Sequence, residues 1–196
     1  METYRGHLSE ICCFILVLLL SASCNEPLTP KPRAYFRIDL PEKQYILFQS
    51  GCKFSFEYPR YGQVKLVELN IAEPCWYNIV FNEFNATIYL TYKPLAAGDL
   101  SVFIEDIRRI VYKHIIKADD ILESRITMPE KQVYGLIYDI KGNTASSVNF
   151  YITDSVSGFL SGSLYFNSAP NKDSLAPAIQ FFREDIVHLI QSFSWE

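Results

Sequence analysis

Asp99-Leu-Ser-Val-Phe-Ile-Glu-Asp-Ile-Arg-Arg-Ile-Val-Tyr-Lys-His-Ile-Ile-Lys-Ala118 is where the hydrophobic period of this 196-residue chain changes. Upstream, Lys53-Phe-Ser-Phe-Glu-Tyr58 alternates polar with aromatic, as a half-buried strand does. Here Leu100, Phe103, Ile107, Ile110, Val111, His114 and Ile115 fall on one side of a helical wheel. Glu105, Asp106, Arg108, Arg109 and Lys113 fall largely on the other. Asp99 is a natural N-cap, and the period predicts a helix running to about Ala118. A helix that long keeps its apolar stripe only by packing it on a sheet.

Working outward, strand-like runs precede it at Val64–Leu69, Trp76–Phe81 and Ala86–Tyr92. Others follow at Ile121–Met128, Gln132–Ile140, Ser147–Thr153 and Phe159–Phe166. Short turns such as Asn82–Asn85, Lys141–Asn143 and Asp154–Gly158 join neighbours, which argues for antiparallel pairing. Asn171-Lys-Asp-Ser174 opens a last helix with Pro177 in its first turns. Its buried stripe is Ile179, Phe182, Ile186, Leu189, Ile190 and Phe193. The expected fold class is α+β: an antiparallel β-sheet with packed helices.

The N-terminus carries a different signal. Ile11–Leu20 is ten apolar residues, too short for a membrane-spanning helix, which needs about 20. It suits the core of a secretory signal peptide, with Ser21-Ala22-Ser23 as the cleavage flank and Cys24 just after. That order reads as a lipobox. Residues 1–23 are then a lipoprotein signal peptide and Cys24 is acylated, so that the partner of the N-terminus is membrane lipid. The rival readings are an ordinary cleaved signal with a free Cys24, or an uncleaved anchor. Residues 24–34 include Pro27, Pro30 and Pro32 and read as a Pro-rich tether; nine extended residues reach roughly 25–30 Å. Residues 35–196 read as a single α+β domain.

Removal of 23 of 196 residues leaves 173, enough for one core. It also leaves 17 basic and 20 acidic residues, which argues against nucleic acid as a partner. With Cys24 acylated, Cys52 and Cys75 remain: a disulfide closing a 24-residue loop, or two buried thiols. His114 and His188 both fall near the apolar side of helices, where packed histidines outnumber ligands. The mature chain has no His-x-x-x-His or Cys-x-x-Cys pair and no phosphate-binding glycine loop, so no metal, cofactor or catalytic residue is expected. Gly158-Phe-Leu-Ser-Gly162 lacks the nucleophile-elbow spacing. Glu105-Asp106 and Asp119-Asp120 read as solvated pairs.

Several stretches together resemble one known family. They include Pro32-Arg-Ala-Tyr-Phe-Arg-Ile-Asp-Leu-Pro41, Phe54-Ser-Phe-Glu-Tyr-Pro59, Pro74-Cys-Trp76, Val133-Tyr-Gly135 and Pro170-Asn-Lys-Asp-Ser-Leu175. In order and over nearly the whole mature chain, they are similar to the gliding-motility lipoprotein GldD family of Bacteroidetes. The resemblance implies an envelope lipoprotein, lipidated at Cys24 and needed for gliding. It also implies partners among the other gliding and type IX secretion components. It brings no catalytic residue. The strand and helix order is similar to the PsbP/Mog1 α/β/α sandwich, a scaffold used mainly for binding. Surface-exported lipoproteins of that phylum usually carry acidic residues after the cysteine. Here Glu26 is the lone one in Asn25-Glu26-Pro27, which implies an outer-membrane anchor facing the periplasm. Asp154-Ser155-Val and Asp173-Ser174-Leu resemble a short O-glycosylation motif of the phylum's exported proteins, and both also make sense as turn and helix caps.

The expected role is a non-catalytic scaffold or assembly factor. The rivals are a periplasmic module binding a glycan or lipid, and a hydrolase or chaperone-like enzyme, which would need a cleft of convergent polar groups.

Overall fold

The computed structural model describes residues 38–68, 75–96 and 99–196. The signal peptide, Cys24 and the tether lie outside the described residues. Within the compact unit Tyr35–Glu196, the described residues form a seven-stranded and a three-stranded sheet, with two α-helices.

The large sheet runs β3(Gln63–Leu66)-β4(Trp76–Phe81)-β5(Ala86–Pro94)-β9(Gly158–Phe166)-β8(Ser146–Thr153)-β7(Val133–Gly142)-β6(Ala118–Met128), and every pairing is antiparallel. β8 is buried along its whole length, because both faces of the sheet are covered at that strand. Val148, Phe150 and Ile152 join the core beneath α2(Lys172–Ser192). Tyr151 joins a smaller core with Val111, Tyr138, Ile140 and Phe159 beneath α1(Asp99–Tyr112). Alternation along one strand thus builds two cores, one per face. Two hairpins turn the same way: a 3-10 helix followed by a left-handed residue, Asn85 (φ 52°) after Asn82–Phe84 and Gln132 (φ 53°) after Pro129–Lys131. Gly162 is required by packing, since a Cβ there would strike the Phe150 ring.

The small sheet is β1(Tyr45–Gln49)-β2(Phe54–Pro59)-β10(Ser194–Trp195). Neither β1 nor β10 is legible in the sequence. β1 is half exposed without clean alternation, and β10 has two residues. This sheet completes the α2 face of the larger one: Phe54 meets Tyr77 and Tyr92 at 6.1 and 5.3 Å, and Phe193 at 5.7 Å.

The helix expected to reach Ala118 stops as an α-helix at Tyr112 and continues as a 3-10 turn over Lys113–Ile116. The tighter turn advances the phase of the wheel. Val111 stays buried, but Ile110 and Ile115, expected in the stripe, are 41% and 61% exposed. Ile104, absent from the expected stripe, packs on the core with Leu100, Phe103 and Ile107. The last helix matches its reading. Asn171 caps it by accepting from the Ser174 amide at 3.1 Å, and Phe182, Ile186, Leu189 and Ile190 are buried.

Asp154 holds the β8–β9 turn by accepting from the amides of Val156, Ser157 and Gly158 at 2.8–2.9 Å, and from the Ser157 hydroxyl. Burial raises its pKa, but those hydrogen bonds outweigh it and leave the carboxyl below its ordinary range. A depressed carboxyl contributes stability above its unfolded pKa, and that stability is lost as pH falls through the folded value. Asp154→Ala is therefore expected to cost about 1 kcal/mol, a fall in Tm of roughly 2–4 °C at neutral pH. The gap to the parent should shrink in acid. An equal gap at pH 7 and pH 2.5 would contradict it.

Candidate functional site

The features that face outward gather around β6 and around the sheet end that carries the β4–β5 turn. Among the described residues β6 is an edge strand of eleven residues, paired on one side only, to β7. Most of it is exposed, and Leu122 is 48% exposed. Asp119, Asp120, Glu123 and Arg125 stud it, a charge pattern that discourages casual strand addition while leaving the outer backbone groups open. Glu123 also accepts from the Tyr112 hydroxyl at 3.0 Å, which ties the edge to α1, and Lys172 reaches Asp119 at 2.5 Å.

α1 covers only part of its sheet face. Beyond it, at the β4–β5–β9 end, lies an open groove of about 510 Å³. Its lining includes Tyr89, Tyr165, Thr87, Asn82, Asn85 and Asn167, and among the described residues no charged side chain lines it. Tyr89 is 45% exposed and meets Tyr165 edge to face at 5.5 Å. Burial, then the Tyr89 neighbour, raises the Tyr165 pKa, so that hydroxyl is neutral at physiological pH. The Asn85 side chain donates to the Asn167 carbonyl at 3.0 Å and braces the rim.

On the opposite face, α2 carries a buried charge cluster. Asp185, 1% exposed, accepts from Lys43 and Tyr45 at 2.9 Å and from Tyr61 at 2.5 Å. Arg183 grips Asp139 with two hydrogen bonds, at 2.6 and 2.9 Å. His188 stacks on Tyr45 at 3.5 Å and bonds Glu57 at 2.7 Å. This cluster docks the segment that leads into β1. Sequence reading missed it because Asp185 lies about 140 positions from Lys43 and Tyr45.

The residues singled out from sequence scatter. Cys24 lies outside the described residues. Cys52 and Cys75 form a disulfide with Cα atoms 6.0 Å apart, which joins the β1–β2 turn to the start of β4. His114 is half buried in the 3-10 turn, and burial lowers its pKa. Ser155, in a left-handed turn (φ 68°), and Ser174, in the first turn of α2, are both exposed. Asp106 of the Glu105-Asp106 pair bonds Arg109 at 2.5 Å. Among the described residues no cluster of three or more potential ligands could hold a metal. Among them, too, no helix is long and apolar enough to cross a membrane.

An antiparallel sheet with a helix on each face, an open edge and a shallow uncharged groove define a class: an α+β domain whose outward features suit binding. The fold is similar to that of cyanobacterial PsbP (CyanoP) from Synechocystis sp. PCC 6803, whose solution structure aligns with a TM-score of 0.50 over 86% of this chain and 100% of that one, at 9% identity. No curated protein matches the sequence. The chain belongs to the family of the gliding motility lipoprotein GldD, which it matches over residues 25–195. It is therefore a gliding-motility lipoprotein, and membership implies attachment to a membrane of the cell envelope.

Proposed function

We propose that this lipoprotein is a non-catalytic scaffold of the gliding apparatus and of the linked type IX secretion machinery, held through acylated Cys24 at the outer membrane and facing the periplasm. The observation that carries the scaffold reading is the open β6 edge. A strand of a partner can add there, with main-chain hydrogen bonds supplying affinity and alternate side chains supplying selectivity. Lipid anchoring confines the domain beside its partners and raises their effective concentration, so a modest interface suffices.

The test pairs a deletion strain with an edge variant. Loss of the gene should abolish surface spreading and change the secreted-protein profile together. Leu122→Lys with Ser124→Lys places two cations on exposed edge positions. Their stability cost should stay within about 0.5 kcal/mol, as for other surface changes. Spreading should nevertheless fail in that strain at normal protein abundance. Normal spreading in the edge variant would sink the edge as the docking site, and normal spreading and secretion in the deletion strain would sink the role.

A second reading rests on the groove. Three asparagines and an edge-to-face tyrosine pair, with no charge, suit a neutral glycan, which offers hydroxyls to amides and C–H faces to rings. Titration with neutral oligosaccharides should perturb Tyr89 and Tyr165, and Tyr89→Ala should abolish the effect. Unchanged spectra across the series would remove this reading.

A further inference from the structure

Ile115 and Ile116 are adjacent, and they are 61% and 90% exposed. Ile110 and Tyr112, one turn back, are 41% and 40% exposed. The 3-10 turn that ends α1 holds Ile115 and Ile116 in this outward position. The ten residues from Arg108 to Lys117 carry four cations, Arg108, Arg109, Lys113 and Lys117, and no acid. This is a concentration of positive charge on a chain whose net charge is −4. Two of the nearby acids are engaged, Asp106 by Arg109 and Asp119 by Lys172. Glu123 accepts from Tyr112. Glu105 and Asp120 remain beside the tip.

The position of the tip adds a second argument. The registers put Ala118 and Gly142, Ser146 and Tyr165, and Ala86 and Phe166 at one end of the sheet. The Lys113–Ile116 turn leads directly into that end. The first described segment is docked toward the same end. Lys43 and Tyr45 bond Asp185, whose third partner Tyr61 packs against Phe84 of the β4–β5 turn. Only 13 residues, 25–37, separate that segment from the lipid site at Cys24, a reach of at most about 50 Å.

We infer that the Ile110–Lys117 tip is a second membrane contact, with Ile115 and Ile116 entering the headgroup region of an anionic bilayer and Arg108, Lys113 and Lys117 meeting its phosphates. Exposed branched aliphatics flanked by cations are the chemistry of an interfacial anchor. A basic apolar patch beside a lipid anchor adds an attraction to an anionic surface and fixes how the domain faces it. Two contacts also orient the domain, turning the β8–β9 turn and its exposed Val156 away from the lipid. The inference takes from the proposed lipid anchor only the delivery of the domain to the surface.

The test uses the lipoprotein purified from membranes and reconstituted in vesicles of phosphatidylethanolamine and phosphatidylglycerol. An environment-sensitive fluorophore is placed at Ile116→Cys or, as the reference at the far end, at Val156→Cys, with label bound by the parent protein as background. Flotation of the parent protein reports the anchor. Quenching of the label by aqueous iodide and by brominated lipid reports the tip. The expected result is several-fold protection from iodide and strong lipid quenching at position 116 but not 156. Both should be lost at high salt, in phosphatidylcholine vesicles, or with Arg108→Glu, Lys113→Glu and Lys117→Glu together. Equal iodide quenching at the two positions overturns the inference, whether or not the protein floats. Protection that needs no lipid and grows with protein concentration also overturns it, by showing a second copy on the tip.

Discussion

Asp185→Ala is expected to destabilise the domain by about 3 kcal/mol, at the lower end of the range for breaking a buried charge cluster. The carboxylate is 1% exposed and takes hydrogen bonds from three groups. Lys43 is the partner that recovers. Its side chain is 24% exposed and also meets Glu184 at 3.2 Å, so it can turn toward water. The tyrosines cannot. Tyr61 is wedged among Phe81, Phe84 and Phe181, and Tyr45 is stacked on His188. Each hydroxyl left unpaired costs about 1–3 kcal/mol, and these two decide the total. Tm should fall by roughly 6–12 °C. Asp185→Asn, which keeps an acceptor, should recover part of the loss. A fall under about 1 kcal/mol in denaturant titrations would show that the cluster is not holding the segment before β1.

The same cluster predicts alkaline behaviour. Burial first, and then the bond to Asp185, raise the pKa of Tyr45 and of Tyr61 far above the usual 10.0. Both stay neutral in the folded state while the unfolded chain loses its protons near pH 10. The contribution is therefore intact below about pH 10 and is lost as pH climbs toward the folded values. The parent should lose stability steeply above pH 10.

The second large effect is expected on the disulfide. Cys52→Ser with Cys75→Ser should cost about 3 kcal/mol in the chain-entropy account, given a sequence separation of 23. The bridge also has a structural role. It fastens the small sheet to β4, and Cys75 holds a left-handed backbone (φ 81°) that a non-glycine residue resists. Without the bridge, that conformation is free to relax, and the packing of Phe54 and Phe48 against Tyr77 should loosen. Parent protein in reductant should match the double serine variant in Tm, roughly 6–12 °C below the oxidised parent. Identical melting with and without reductant would mean that the two sheets hold together without it.

The sequence by itself determined everything written in local periodicity or local turn chemistry. Seven large-sheet strands, the capped C-terminal helix and the helix at Asp99 follow from alternation, from a 3.6-residue period and from Asn, Asp and Gly at turns. Family motifs also sit in order along one chain, so membership was legible there. What only the tertiary structure decided depends on distance in the chain. β1 and β10 exist because β2 offers them an edge, not because their own residues insist. The Asp185 cluster joins residues about 140 apart, and no local pattern announces such a pairing. The end of α1 is the sharpest case. The wheel continues through Ile115, and sequence alone carries the helix to Ala118. The start of β6 at Ala118 claims that backbone for the sheet and tightens the preceding turn, so Ile115, which periodicity assigns to the core, stands in solvent. Periodicity reports what a segment prefers, whereas exposure depends on which neighbour reaches the segment first.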